Sequence, residues 1–297
     1  MTRGFITVAT GDKRYYKLAV NLLHSYKDNY CEEKIPFAIL TDERNRFTEE
    51  FDDVVILKNP QGSWMDKMSI LDVCPYDENI FIDADCLIYQ DISYLWNLFK
   101  TADDFSCFGE ALPLDAENGW FKRKDVERYQ IKFITHLHGI MYFVRKGESI
   151  NRFKKVCDDI IRDYFSMKFK GFNDKLAEEP VFALAMAVQG YRPIQRKAEY
   201  YCFVPYATEI KTDYLSRRVE FVNPKDGRCK KCSIVHWGNQ NTKKAEYKFE
   251  IYKMNTLRNN RSVYKWYCIE DMISEIGRGF IYKIIAVKQK AKKVFRD

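Results

Sequence analysis

The sequence predicts an α/β fold: a mixed, mostly parallel sheet flanked by helices, followed by a helical C-terminal extension. Three observations carry this. Strand-like and helix-like segments alternate over residues 5–88, which implies a sheet joined by right-handed crossovers. The strand segments are short and apolar, as buried parallel strands are. Thr10, Asp42 and Asp83 all fall where such strands end, and ligands of these sheets bind beyond the carboxyl ends of the strands.

The elements follow in order. GFITVAT is a β-rich run that stops at Gly11, and KRYYKLAVNLLHSYKDNY carries apolar residues at helical spacing. PFAILTD and DVVILK are the next strands, and SWMDKMSILDVC is a helix stopped by Pro75. NIFIDADCLI is a fourth strand, and FSCFGE a further one. Residues 111–135 are charged, contain Trp120 and form a long excursion. HGIMYFVRKG is a strand, SINRFKKVCDDIIRDYFSMK an amphipathic helix, and EEPVFALAMAVQG a helix with Pro180 in its first turn, where proline is tolerated. Short strands follow at YRPIQR, YYCFV, RRVEFV and CSIVHWG.

Composition bounds the function. The chain of 297 residues is 46% hydrophobic and 31% charged, a globular composition. The net charge is +7, and residues 278–297 hold seven basic side chains against Asp297 alone. The body is therefore nearly neutral, which argues against a nucleic-acid groove. The start MTRGFITVATGD has no apolar run of signal length, and no run is long enough to span a bilayer. The nine scattered cysteines then read as reduced thiols of a cytoplasmic protein. Cys229 and Cys232 have the spacing of a zinc half-site, but no second ligand pair accompanies them. Two units are expected, 1–245 and 246–297. In the second, Phe280, Ile284, Val287, Ala291 and Val294 share a helical face amid lysines. Such a helix either packs on the domain or lies peripherally on an anionic membrane.

The segment IFIDADCLI raises the chemical question. Residues two apart in a strand point to one side, so Asp83 and Asp85 converge. Two adjacent buried carboxylates repel, and a divalent cation resolves the conflict. Hard oxygen ligands select Mg²⁺ or Mn²⁺. Haloacid-dehalogenase-type phosphatases also use Asp-x-Asp, but as the opening strand of the fold and with a different continuation. A non-catalytic sugar-binding protein is the other alternative.

The chain resembles the metal-dependent GT-A glycosyltransferases, in particular the family 8 type that includes glycogenin and lipopolysaccharide galactosyltransferases. FITVATGDKRYY, ILTD, WMDKMSIL and IFIDADCLIYQDISYLW carry the resemblance, with HGIMYF, EEPVFALAM and IVHWGN more weakly, over residues 5 to 240. It implies transfer of a sugar from a nucleotide diphosphosugar, a UDP-sugar by expectation, to a glycan or lipid-linked acceptor with retention of configuration. It also implies roles. Thr10 and Tyr15 or Tyr16 would touch the nucleotide, and Asp42 the base. Lys67 would reach the donor sugar or phosphates. Asp83, Asp85 and His236 would hold Mn²⁺ or Mg²⁺, with imidazole favouring Mn²⁺. Lys243 or Lys244 would serve the diphosphate. Glu178 and Glu179 fall beside the reaction centre, and Glu179 is the catalytic candidate together with Asp85. His138 stands near a sugar-binding position.

Overall fold

Arg3–Ala9 (β1) is apolar on both faces because it runs through the middle of a seven-stranded sheet. The computed structural model describes residues 1–30, 35–117, 119–169, 175–207 and 209–259. Lys13–Asn29 (α1) follows β1, and Asp12 caps it by accepting the Arg14 N–H at 2.8 Å. Phe37–Thr41 (β2) pairs parallel with β1, and Asp53–Ile56 (β3) pairs parallel with β2 at the sheet edge. The expected helix after Ser63 is mostly a 3₁₀ helix, Trp64–Ser69, that closes in the single α-turn Ile70–Val73 (α2). A capping box between Ser63 and Asp66 fixes its start.

Glu78–Ile82 (β4) pairs parallel with β1 on the side away from β2. The chain thus builds outward in one direction and then crosses to the other side of β1. The crevice beyond the carboxyl ends of β1 and β4 is a topological switch point. The expected single strand through IFIDADCLI is two strands. β4 ends at Ile82, and Cys86–Ile88 (β5) belongs to a different sheet.

Tyr94–Phe99 (α3) leads to Phe105–Leu112 (β6) and, past the charged excursion, to Ile134–Arg145 (β7). β7 pairs antiparallel with both β4 and β6, so the sheet is mixed but mostly parallel. The β6–β7 register shifts between Cys107 and Gly109, where a Cβ on Gly109 would lie 2.4 Å from the His136 carbonyl oxygen. Glu148–Arg162 (α4) and Glu178–Gln189 (α5) follow, and Gly190 ends α5 at φ 76°. Ile194–Gln195 (β8) completes the main sheet beside β6.

Alternation along the strands divides two cores. Phe5, Phe37, Ile39, Ile80 and Ile82 join Leu18, Leu22 and Leu23 of α1. Ile6, Ala38, Leu40 and Phe81 join Phe153 of α4 and Val181, Phe182 and Leu184 of α5. Tyr201–Phe203 (β9), Ile210–Asp213 (β10), Arg218–Val222 (β11), Cys229–Lys231 (β12) and Ile234–His236 (β13) form two small sheets. In one of them β13 lies between β5 and β9. Cys229 is exposed, whereas Cys232 is buried with its thiol donating to the Ile234 carbonyl at 3.3 Å.

Ala245–Asn259 (α6) begins at the expected boundary, yet Tyr247 and Met254 enter the α1-side core. Lys253, itself buried, ion-pairs Glu250 at 2.9 Å and Asp213 at 3.1 Å, fastening α6 to β10. The expected basic helix over residues 278–297 lies outside the described residues. Among the described residues no helix is long and apolar enough to cross a membrane.

Candidate active site

The two carboxylates sit in a turn rather than on a strand. Asp83, Ala84 and Asp85 link β4 to β5, and the Cys86 N–H closes the turn onto the Asp83 carbonyl at 3.0 Å. The turn exists because β5 leaves the main sheet to pair with β13, in register Cys86↔His236. That pairing brings His236 to the carboxylates. Its Nε2 lies 2.8 Å from Asp85 Oδ1 and 3.7 Å from Asp83 Oδ2. Burial alone lowers the His236 pKa, but the Asp85 and Asp83 carboxylates outweigh it and the net direction is upward. Burial raises Asp85, and His236 followed by Lys67 brings it below its ordinary value. The ring of Phe203, the partner of His236 in β9, stacks on the imidazole at 4.6 Å and 19°.

The converging group shares Asp85 and His236 with the expected trio and adds Cys86. Asp85, Cys86 and His236 each offer a ligand atom within 4.8 Å of one another. Asp83 Oδ2 lies 3.7 Å from His236 Nε2 and also accepts from the Lys67 ammonium at 2.8 Å. Cys86 was not visible as a site residue, since an apolar-flanked cysteine in a strand reads as core. Burial, then Asp85, pushes its thiol well above the ordinary value, and a neutral thiol is a poor ligand. The donor set available is therefore carboxylate and imidazole, which fits Mn²⁺. One observation suits a cation there: Asp85 Oδ1 is buried with the His236 imidazole at 2.8 Å as its close partner, so an ion would sit between two groups already facing each other.

Lys67 comes from the 3₁₀ helix and bridges two carboxylates, Asp83 at 2.8 Å and Glu178 at 3.1 Å. Desolvation disfavours its charge, but Asp83 and Glu178 overcome this and hold it protonated. Burial raises Glu178, with Lys67 opposing. Glu179, beside it at the start of α5, accepts the Gly139 N–H at 3.0 Å. Burial and then Glu178 push its carboxyl up to about 8. A Cβ on Gly139 would lie 2.9 Å from Glu179 Oε2 and 2.6 Å from the Tyr142 hydroxyl. Gly139→Ala is therefore expected to displace Glu179 and lower kcat about 10²-fold, the cost of a misplacement near 1 Å. Steady-state kinetics beside an unchanged circular dichroism spectrum checks this.

Two cavities meet at these residues. The smaller, about 490 Å³, opens at the carboxyl ends of β1 and β4 and is lined by Thr10, Tyr15, Asp83, Asp85, Lys175 and Asn239. The larger, about 600 Å³, is lined by Glu178, Glu179, His138, Tyr201, Arg196 and His236 among others. Trp64, Lys67 and Asp83 line both.

Of the expected nucleotide contacts, Thr10 faces the smaller cavity, its hydroxyl donating to Asp66 at 2.5 Å. Tyr15 rather than Tyr16 lines that cavity. Tyr16 is buried, because helical spacing turns it inward, and its hydroxyl donates to Asp42. Asp42 lines neither cavity. It accepts the Gly11 N–H at 2.9 Å and so shapes the turn after β1. Burial raises its carboxyl, but the Tyr16 and Gly11 bonds hold it below the ordinary value. Lys243 is exposed, reaches Gln240 at 3.4 Å and lines neither cavity. Lys175 is the cation the smaller cavity has instead. Nothing in the sequence marked Lys175, whereas Trp64 and Asn239 lie in WMDKMSIL and IVHWGN without a role of their own.

No protein-family profile matches the chain, and no curated protein matches it. Among solved structures, the glycosyltransferase GlyE of Streptococcus pneumoniae TIGR4 is similar at 10% identity and a TM-score of 0.47, covering 69% of this chain and 48% of that one. Its apo-form structure gives 12% identity and a TM-score of 0.42, covering 65% and 45%. The chain thus spans about half the length of that protein. A likeness of this size bears on neither the family nor the activity of this chain.

Proposed function

We propose that the protein is a GT-A-type glycosyltransferase that uses Mn²⁺ and moves a sugar from a nucleotide diphosphosugar, by preference a UDP-sugar, to a glycan or glycolipid acceptor. The observation that carries this is the pair of cavities joined at Lys67 and Asp83. A transferase needs two substrates abutting at one charged junction, whereas a phosphohydrolase needs a single pocket. The smaller cavity, at the switch point, suits the nucleotide. The larger suits the acceptor.

Asp85 and His236 would hold the metal, with Asp83 beside them. A bound Mn²⁺ would neutralise charge developing on the departing diphosphate. Lys67 adds a fixed positive charge at the junction, and Lys175 offers another in the donor cavity. In the transfer, the bond from the anomeric carbon to the β-phosphate oxygen breaks and a bond to the acceptor oxygen forms. With retention, the expected course, the acceptor proton passes to the leaving diphosphate and ionised Glu179 steadies the positive sugar. With inversion, Glu179 would take that proton.

Either way the ionised carboxylate acts. A carboxyl raised to about 8 is mostly protonated at neutral pH. Activity is therefore expected to climb as pH rises through about 8 and then level off, and Glu179→Gln is expected to flatten the curve at a low rate. A pH–rate profile in excess donor checks this. The founding experiment is a thermal-shift panel of nucleotide sugars with and without Mn²⁺. At a ligand concentration a hundred times Kd the gain should be about 2.7 kcal/mol. Absence of stabilisation by any nucleotide under any metal would sink the proposal, and hydrolysis of a generic phosphoester would favour the phosphatase.

A further inference from the structure

Among the described lysine and arginine side chains that line the larger cavity, all but one are paired with a carboxylate. Lys67 is matched by Asp83 and Glu178. Lys225 is matched by Glu110, at 2.7 Å. Glu179, its carboxyl pushed up by burial to about 8, is largely uncharged at neutral pH. That leaves the half-buried guanidinium of Arg196, which faces the cavity and has no carboxylate partner among the described residues. Guanidinium is always ionised, so it keeps its charge there.

Arg196 also has a stacking partner. It lies over the Tyr201 ring at 4.7 Å. The Tyr201 hydroxyl is in turn 2.7 Å from His138 Nδ1. Burial and Arg196 itself push the His138 imidazole down to about 4, leaving it neutral beside the guanidinium. A stacked fork loses little freedom on pairing and matches the two oxygens of a carboxylate or phosphate. Around it stand aromatic side chains. Phe203 and Tyr206 meet edge to face at 5.0 Å, and Tyr206 is 70% exposed. Aromatic walls of this kind bury the apolar face of a ring while a few polar groups fix its orientation.

We propose that the larger cavity takes an acceptor bearing an anionic group, a carboxylate or a phosphate, which Arg196 grips while the aromatic wall carries the adjoining sugar ring. The inference rests on the larger cavity being the acceptor side of the junction. It adds the acceptor's chemical class: an acidic or phosphorylated sugar rather than a neutral one.

The test titrates the full chain, by saturation-transfer NMR, with methyl β-D-glucuronide, glucose 6-phosphate and methyl β-D-glucoside. At least one anionic probe is expected to bind tenfold or more tightly than the neutral glucoside, and whichever it is separates carboxylate from phosphate. Arg196→Gln is expected to erase that preference at an unchanged melting temperature, with Arg196→Lys keeping part of it. Equal binding of all three probes overturns the proposal. So does a preference that survives in Arg196→Gln, or no saturable binding of either anionic probe. UDP binding with Mn²⁺ is measured on the wild type alongside. If that fails while the Arg196-dependent preference stands, the donor assignment is wrong and the anion site remains.

Discussion

Replacing Asp85 by asparagine is expected to weaken Mn²⁺-dependent UDP binding on the order of a hundredfold, because a metal's hold on a diphosphate contributes several kcal/mol. The substitution preserves volume and removes one charge. Asp85 Oδ1 is buried and sits 2.8 Å from His236 Nε2. Removing the charge also removes the larger of the two carboxylate influences that lift the His236 pKa, leaving Asp83. Isothermal titration with UDP at fixed Mn²⁺, and again in excess chelator, reads the effect. The two curves should differ widely for the wild type and coincide for the variant. Cys86→Ala serves as the contrast, since a thiol kept neutral by burial should not matter to Mn²⁺. If the asparagine variant keeps its metal-dependent binding, the metal is elsewhere or absent.

Lys67→Met is expected to lower folding stability by about 3–5 kcal/mol, the cost of removing one partner from a buried charge pair. The ammonium is the shared counter-ion of Asp83 and Glu178, and the Glu178 side chain is only 6% exposed. Urea unfolding at neutral pH measures the loss. Its pH dependence has a definite sign. Glu178 already has a raised carboxyl pKa, and losing Lys67 would raise it further. A carboxyl with a raised folded pKa is comfortable when protonated, so the penalty should shrink as pH falls and grow as pH rises. Lys67→Met/Glu178→Gln should recover part of the stability but none of the transfer activity. If the single variant is as stable as the wild type, the bridge carries no weight in folding.

Much of the scaffold could be read from local pattern. The alternation of helices and strands around GFITVAT and PFAILTD, and the strand ends at Thr10 and Asp83, are short-range signals. IFIDADCLI misled because its flanks are apolar on both sides. Only pairing with a segment near residue 235 shows that β5 belongs to another sheet. The same long-range pairing delivers His236, which spacing alone could not place. Tyr15 and Tyr16 were equivalent as letters, and the turn of α1 decides which faces the cavity. Lys243 looked suitable by order along the chain, but the short 3₁₀ helix Asn241–Lys243 turns it to solvent. Lys175 and Arg196 are single cations with no local pattern. Their relevance comes from the cavity walls they share with distant strands.

Trp64, Lys67 and Asp83 form a partition common to both cavities. Two substrates that lean on one wall cannot ignore each other. A ligand that shifts the Trp64 ring or the Lys67 ammonium from one side would change binding on the other, and reciprocity makes any such coupling mutual and equal. In the proposed two-substrate reading, this wall would let an occupied smaller cavity alter the affinity of the larger one.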